Sequence, residues 1–224
     1  MKKILLLGIF LGTQLGFAQQ VTLSKAEKIS DRTDKFLYKV DSLERDKVYL
    51  GELEIQEYAM NETDLFDKIY KKAKSIGANA FNLKSLETID QSPYKLNRSH
   101  YYLNLYEVAK KPIRDNKVYL ISSSNKPIKI KINNKVVVLE PKSYIESELL
   151  PGEMQSISVG GLLGSKINLS YKDGQPVQYF LILPAGVRAN HASSEGGLNL
   201  KSGDIINVER SFAEFLTIIY PQQN

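Results

Sequence analysis

NETDLFDKIYKKAKSIGANAFNL, residues 61–83, holds an amphipathic helix, a glycine stop and the start of a strand. Asn61 or Thr63 can cap the helix, because a short polar side chain there accepts from an otherwise unpaired amide of the first turn. Glu62, Asp64 and Asp67 put negative charge near the positive end of the helix dipole. Leu65, Phe66, Ile69, Ala73 and Ile76 recur at spacings of three and four, which makes one apolar stripe. Gly77 follows as the expected left-handed stop. Ala78 and Ala80 are small enough to let helix and sheet approach closely. Lys68, Lys71, Lys72 and Lys74 fall on the polar side, where a solvated helix face is the plain reading and an anion or lipid-headgroup site the sharper one.

Working outward, KVYLGELEIQEY at 47–58 places Val48 and Leu50 on one parity, then Leu53 and Ile55 on the other, with Gly51 between them. A parity switch at a glycine is how a β-bulge reads in sequence. Residues 80–87 and 99–109 (SHYYLNLYEVA) read as strands flanking a polar, proline-containing connection. Residues 47–111 therefore predict a small β-α-β-β unit, a three-stranded sheet carrying one helix. Upstream, residues 19–46 read as a charged arm. Within it, Phe36, Leu37, Val40 and Leu43 fit a helix while Phe36, Tyr38 and Val40 fit a strand, and periodicity does not separate the two.

Downstream of the polar stretch after Lys110 the helical signal disappears. Short apolar runs recur between turn signals: Asn133-Asn134, Pro151-Gly152-Glu153 and Lys172-Asp173-Gly174. Residues 184–197 look like a flexible loop, and 204–208 and 215–220 read as closing strands. Strands of this length and turn spacing predict an antiparallel β-sandwich over 117–224. The fold class expected is α+β, a β-α-β-β domain followed by an all-β sandwich.

The first residues carry their own information. Lys2 and Lys3 precede an apolar run at 4–11 and a more polar stretch ending Gly-Phe-Ala. This is the pattern of a secretory signal peptide over 1–18, with cleavage between Ala18 and Gln19. The apolar run is shorter than the roughly 20 residues a bilayer span needs, so no integral membrane segment is expected in the mature chain, which should be periplasmic or extracellular. The chain has no cysteine, which removes disulfides, thiolate nucleophiles and cysteine-based zinc sites. Without Lys2 and Lys3 the charge balance is 28 basic against 25 acidic residues, spread evenly along the chain. No nucleic-acid partner is implied.

Two resemblances rest on particular residues. Tyr49-Leu50-Gly51-Glu52-Leu53-Glu54-Ile55, the helix with Ala73, and Ile76-Gly77-Ala78-Asn79-Ala80 resemble the YbjQ/RcsF-like small α+β domains. Some members of that superfamily were proposed to bind heavy metals and others act as envelope sensors. With no cysteine to supply such a site, the resemblance carries no metal here. The second half is similar to PEGA-type secreted β-sandwich domains, through Ile132-Asn133-Asn134-Lys135-Val136, Ser143-Tyr144-Ile145, Leu150-Pro151-Gly152-Glu153, and Asp173-Gly174 ahead of Tyr179-Phe180-Leu181. That resemblance implies a module for contact or spacing.

The signatures of chemistry are sparse. His100 sits in an aromatic strand and reads as a partly buried sheet residue, and His191 lies in ANHASSEGG with Ser193, Ser194 and Glu195. No HExxH, no DxDxDG loop and no Gly-x-Ser-x-Gly elbow occurs. No catalytic, cofactor-binding or metal residue is assigned. Thirteen tyrosines stand out, with Tyr94 just ahead of Tyr101, Tyr102 and Tyr106 on one strand. They suit ordinary strand packing or a contact face for carbohydrate or peptide. The expectation is a secreted, non-enzymatic binding protein of the cell envelope whose partner is a protein or glycan. The alternatives are a secreted hydrolase using 184–197 and a metal-responsive envelope domain.

Overall fold

In a computed structural model of the chain, the expected helix is α1, Glu62–Lys74. The structure describes residues 21–41, 46–56, 61–84, 96–109, 115–161, 164–190 and 197–223, with 185–190 and 197–202 described by backbone only. The signal peptide with Ala18 and Gln19, Tyr94, and residues 191–196 with His191, Ser193, Ser194 and Glu195 lie outside the described residues. The protein is mostly β, with two helices and three sheets among the described residues. It divides into two compact units, Met1–Lys35 with Ser42–Glu107, and Phe36–Asp41 with Val108–Asn224.

In the first unit α1 follows the sequence closely. Asn61 caps it, its Oδ1 accepting from the Asp64 amide at 2.9 Å. Leu65, Ile69 and Ala73 are fully buried, and Phe66 flanks them half-buried. Gly77 takes φ 73° while the Ala78 amide returns to the Ala73 carbonyl at 3.1 Å, closing the helix end as expected. The strands are β1 (Val21–Ala26), β3 (Lys47–Gln56), β4 (Ala80–Leu83) and β5 (His100–Val108), in the order β1-β3-β5-β4, while the two-residue β2 (Tyr38–Lys39) falls in the second unit. Leu50, Leu53 and Ile55 are all fully buried, so the parity of β3 does switch between Leu50 and Leu53. The β1–β3 register shifts between Leu23 and Lys25, leaving Ser24 as an extra residue on β1.

The charged arm expected over 19–46 is corrected here. Residues 21–26 pair antiparallel with β3, adding a strand to the three predicted. Residues 30–34 then clasp the end of α1: the Ser30 amide donates to the Ile76 carbonyl at 3.0 Å, and Asp34 accepts from the buried Asn79 side chain at 3.0 Å. Arg32 pairs with Glu107 at 2.9 Å. Two of the charges that made this stretch look solvated, Arg32 and Asp34, are spent on the helix end and the adjoining strand.

In the second unit two four-stranded sheets pack face to face. One has the order β11-β10-β7-β8 (Ser165–Ser170, Met154–Val159, Ile128–Ile132, Lys135–Leu139). The other has the order β13-β12-β6-β9 (Gly197–Asn207, Gln178–Asn190, Lys117–Ser122, Ser143–Glu148). Val118, Leu120, Ile130, Leu139, Ile157, Phe180 and Ile182 interdigitate between them as one core. Asn133 and Asn134 both take positive φ (49° and 66°) in the β7–β8 hairpin, as the sequence predicts.

Three expectations fail in this unit. The sheets are not wholly antiparallel, because β6 and β12 pair in parallel, Leu120 opposite Phe180. The loop predicted over 184–197 is largely strand: β12 runs to Asn190 and β13 starts at Gly197, pairing as a long hairpin. The strand predicted over 215–220 is instead part of α2, Arg210–Ile219, capped by Glu209 accepting from the Phe212 amide at 3.1 Å. The β-branched run Thr217-Ile218-Ile219 favours a strand locally, but Phe212, Phe215, Leu216 and Ile219 recur at helical spacing. Since Leu120 and Phe180 face the core, their neighbours Tyr119 and Tyr179 face the other side of the sheet, and α2 covers them there: the Tyr179 hydroxyl donates to Glu214 at 3.1 Å.

Candidate contact surface

Strand alternation sorts the tyrosines of β5. Tyr101, Leu103 and Leu105 turn inward and are buried, while His100, Tyr102, Asn104 and Tyr106 project from the opposite face. Tyr101 is therefore a core residue. The shifted parity of β3 sends Lys47 and Tyr49, then Glu52, Glu54 and Gln56, to that same outward face. The β1 bulge adds Ser24, whose hydroxyl donates to Glu52 at 2.9 Å, and Lys25.

On this face each of three tyrosine rings carries a lysine. Lys25 Nζ lies 5.4 Å from the centroid of Tyr49, Lys47 Nζ 4.8 Å from Tyr106, and Lys84 Nζ 5.4 Å from Tyr102. Tyr49 and Tyr106 meet edge to face at 5.7 Å. A cation over a ring is worth about 0.5–1 kcal/mol at an exposed site, so the three pairs hold the rings in place more than they stabilise the fold. Tyr106 is nearly buried, whereas Tyr49 and Tyr102 are half-buried and present ring surface.

Two carboxylates organise the polar atoms between the rings. Glu52 pairs with Lys84. Glu54 Oε1 accepts from Gln56 at 3.0 Å and from the Tyr102 hydroxyl at 3.1 Å, and lies 2.7 Å from His100 Nε2. Hydrogen bonds from Gln56 and then His100 hold the Glu54 carboxyl below its usual range. Desolvation, with the neighbouring Glu54, pushes the Tyr102 phenol up. His100 is exposed, which corrects the partly buried placement expected for it. Together these groups offer ring faces, hydroxyls and cations across three adjacent strands. That combination can stack on and hydrogen-bond to an extended polar chain.

A second polar cluster, in the other unit, was not visible in the sequence. The nearly buried Glu214 of α2 accepts from Arg210 Nε at 2.6 Å, from the Tyr179 hydroxyl at 3.1 Å and from the Lys39 amide at 2.6 Å. Arg210 lies over the Tyr38 ring at 4.3 Å, and the Leu37 amide donates to Ser211 Oγ at 3.2 Å. Tyr119 stacks on Tyr179 with centroids 5.0 Å apart. Burial lowers the Lys39 ammonium and raises the Tyr119 and Tyr179 phenols. Perturbed groups in a cleft would suggest chemistry, but both Glu214 oxygens are committed to neighbours. What this cluster does is hold Phe36–Asp41 against α2.

Of the remaining residues singled out in the sequence, Lys71 pairs with Asp67 on the helix surface at 2.6 Å and Lys74 with Asp34 at 3.4 Å. Among the described residues no group of three or more His, Asp or Glu is placed to hold a metal ion, and no helix is long and apolar enough to cross a membrane. The pairing of Tyr49 with Lys25 and of Tyr102 with Lys84 joins strands distant in sequence, and only the β3 parity switch hinted at it. Comparisons with family models, with curated proteins and with solved structures found no match.

Proposed function

We propose that this chain is a secreted, non-enzymatic binding protein of the bacterial cell envelope, with an α+β module followed by a β-sandwich module. Its contact surface is the tyrosine–lysine face of the first sheet. The observation that carries this reading is the set of lysine-braced rings at Tyr49, Tyr102 and Tyr106 on the sheet face away from the buried Tyr101 and Leu103. Half-exposed rings with hydroxyls and cations between them suit an envelope glycan, whose sugar rings offer flat C–H faces and whose hydroxyls and acidic groups need polar partners. The signal-peptide pattern at 1–18 supports this reading, because export would bring the chain to where such polymers are found.

The test is co-sedimentation of the purified protein with insoluble cell-wall glycan, beside a protein of similar size and charge. Retention is expected, with a large loss on combining Tyr49→Ala and Tyr102→Ala. Equal retention of the double variant, or none by the parent, would sink this assignment. Retention by immobilised extended peptides but not by glycan would move the face to the peptide-binding class.

A further inference from the structure

The other exposed sheet face, in the second unit, has a different chemistry. In the β11-β10-β7-β8 sheet, Ile128, Ile130, Leu139, Ile157 and Val159 point into the core. The alternate positions therefore point to solvent. They include Lys129 and Lys131 on β7, Lys166 on β11, and Val136 and Val138 on β8, all exposed. The register puts Val136, Lys131, Ser158 and Lys166 in one row across the four strands, with Val138 beside Lys129 in the next. None of the outward positions on these four strands is acidic or aromatic; beyond the lysines and valines they are serine, asparagine and Met154. The exposed carboxylates Glu140 and Glu153 follow β8 and precede β10, outside the row of lysines.

Among the described residues none of the three lysines has an ion-pair partner, in contrast to Lys71, Lys84 and Lys117 elsewhere. Lys129 and Lys131 stand about 7 Å apart along the strand, and Lys131 and Lys166 about 10 Å apart across β10. This is a flat array of three mobile cations with two exposed valines at its margin. A sugar polymer would call for rings to stack on, and none is here. A surface of anionic lipid headgroups calls for dispersed cations without fixed geometry and for small apolar groups that can enter the headgroup boundary. We propose that this face docks on an anionic phospholipid surface, through Lys129, Lys131 and Lys166, with Val136 and Val138 entering the interface. It is independent of the glycan reading, since it uses another sheet and other residues.

The experiment is vesicle co-sedimentation of the chain from Gln19 onward, which keeps every described residue and removes the apolar run at 4–11. The vesicles are phosphatidylcholine alone, or phosphatidylcholine with about a third phosphatidylglycerol. Binding is expected only to the anionic vesicles and should fall with added salt. At about 1 kcal/mol per lysine near an anionic surface, each Lys→Gln change should weaken partitioning roughly fivefold, and the triple variant roughly a hundredfold. Val136→Ser with Val138→Ser should weaken it by a smaller factor without changing the salt dependence. Equal binding to neutral vesicles, no binding by the parent, or undiminished binding by a folded triple variant would overturn the proposal. Binding of soluble dextran sulfate through these lysines, with vesicles ignored, would overturn it in favour of a polysaccharide partner. The glycan assay reports separately, because the triple variant leaves Tyr49 and Tyr102 in place.

Discussion

Gly77→Ala tests the end of α1 more sharply than any core truncation. Gly77 has φ 73°, and Gly152, in the turn between β9 and β10, has φ 78°. A side chain in that conformation costs about 1–2 kcal/mol at either site. The surroundings differ. A Cβ on Gly152 would meet nothing within 4 Å, whereas one on Gly77 would lie 2.0 Å from the Ser30 carbonyl oxygen. That atom belongs to a backbone fixed by the Ser30 amide bonding to Ile76 at 3.0 Å, so it cannot swing aside as a side chain would. Relieving the overlap displaces the 30–34 clasp, adding about 1–3 kcal/mol on the scale of overpacked cores. The expected losses are then roughly 2–5 kcal/mol for Gly77→Ala and roughly 1–2 for Gly152→Ala. Since two units need not unfold together, the readout is hydrogen exchange against urea, taken from β5 for the first variant and from β6 for the second. The Ser30 amide should lose protection in Gly77→Ala. If Gly77→Ala costs no more than Gly152→Ala, the close approach to Ser30 contributes nothing and the argument fails.

Glu214→Ala leaves Arg210 and the Tyr179 hydroxyl without their acceptor in a buried setting, and should destabilise the second unit by about 3–5 kcal/mol; the Lys39 amide, which donates to the same carboxylate, should exchange faster. Lys39→Met should be neutral or mildly stabilising near pH 7 in urea unfolding, because the ammonium is held mostly by burial that disfavours its charge. Its folded pKa is lowered, so the unfolded chain binds the extra proton and stability rises with pH toward the ordinary lysine value of 10.5; the difference between parent and variant should shrink over that range. On the acid side, Glu107 is held below its usual range first by Arg32, and Glu146 first by Lys117. Their contributions are present above the unfolded carboxylate pKa and are lost as pH falls through the folded values. The urea midpoint should thus drop between about pH 5 and 3, and Glu146→Gln should flatten that fall for the second unit.

The parts of the fold that were legible in sequence are those whose signals are local. Asn61, the Leu65–Ile69–Ala73 stripe and Gly77 each act within a few residues, and the Asn133-Asn134 turn sets its own hairpin. What failed was set at long range. β1 looked like an arm because Lys25 and Glu27 form their ion pair with each other at its exposed end, whereas what fixes the stretch, the ladder to β3 and the Arg32–Glu107 pair, is reached across the sheet. The 184–190 stretch reads as loop from its proline and glycine, yet its backbone pairs with 197–203 in a ladder that composition does not announce. Phe36–Asp41 was ambiguous between helix and strand because its strand is only two residues long, Tyr38–Lys39: Leu37 and Val40 beside it are buried, and Tyr38 and Lys39 are fixed by α2.

The tyrosines show how such long-range assignments bear on function. In sequence, Tyr101, Tyr102 and Tyr106 form one group, and a contact face drawn from them would hold three rings from a single strand. Alternation removes Tyr101 to the core, and Lys47 covers much of Tyr106. In the second unit Tyr119 and Tyr179 stack beneath α2, with the Tyr179 hydroxyl spent on Glu214. A ring that is buried, or whose polar tip is already satisfied inside, contributes packing and offers little to a ligand. What remains on the first sheet is Tyr102 together with Tyr49, a residue of β3 whose strand switches parity after Leu50 and so brings Glu52 and Glu54 to the same face. A β3 without the switch would point Glu52 and Glu54 inward among Leu103 and Leu105, where a carboxylate without partners is strongly disfavoured. The same irregularity that keeps two charges out of the core therefore puts Glu54 within reach of Tyr102 on the face that already carries Tyr49 and Tyr106, and the polar part of the candidate surface exists as a consequence of how the core is closed.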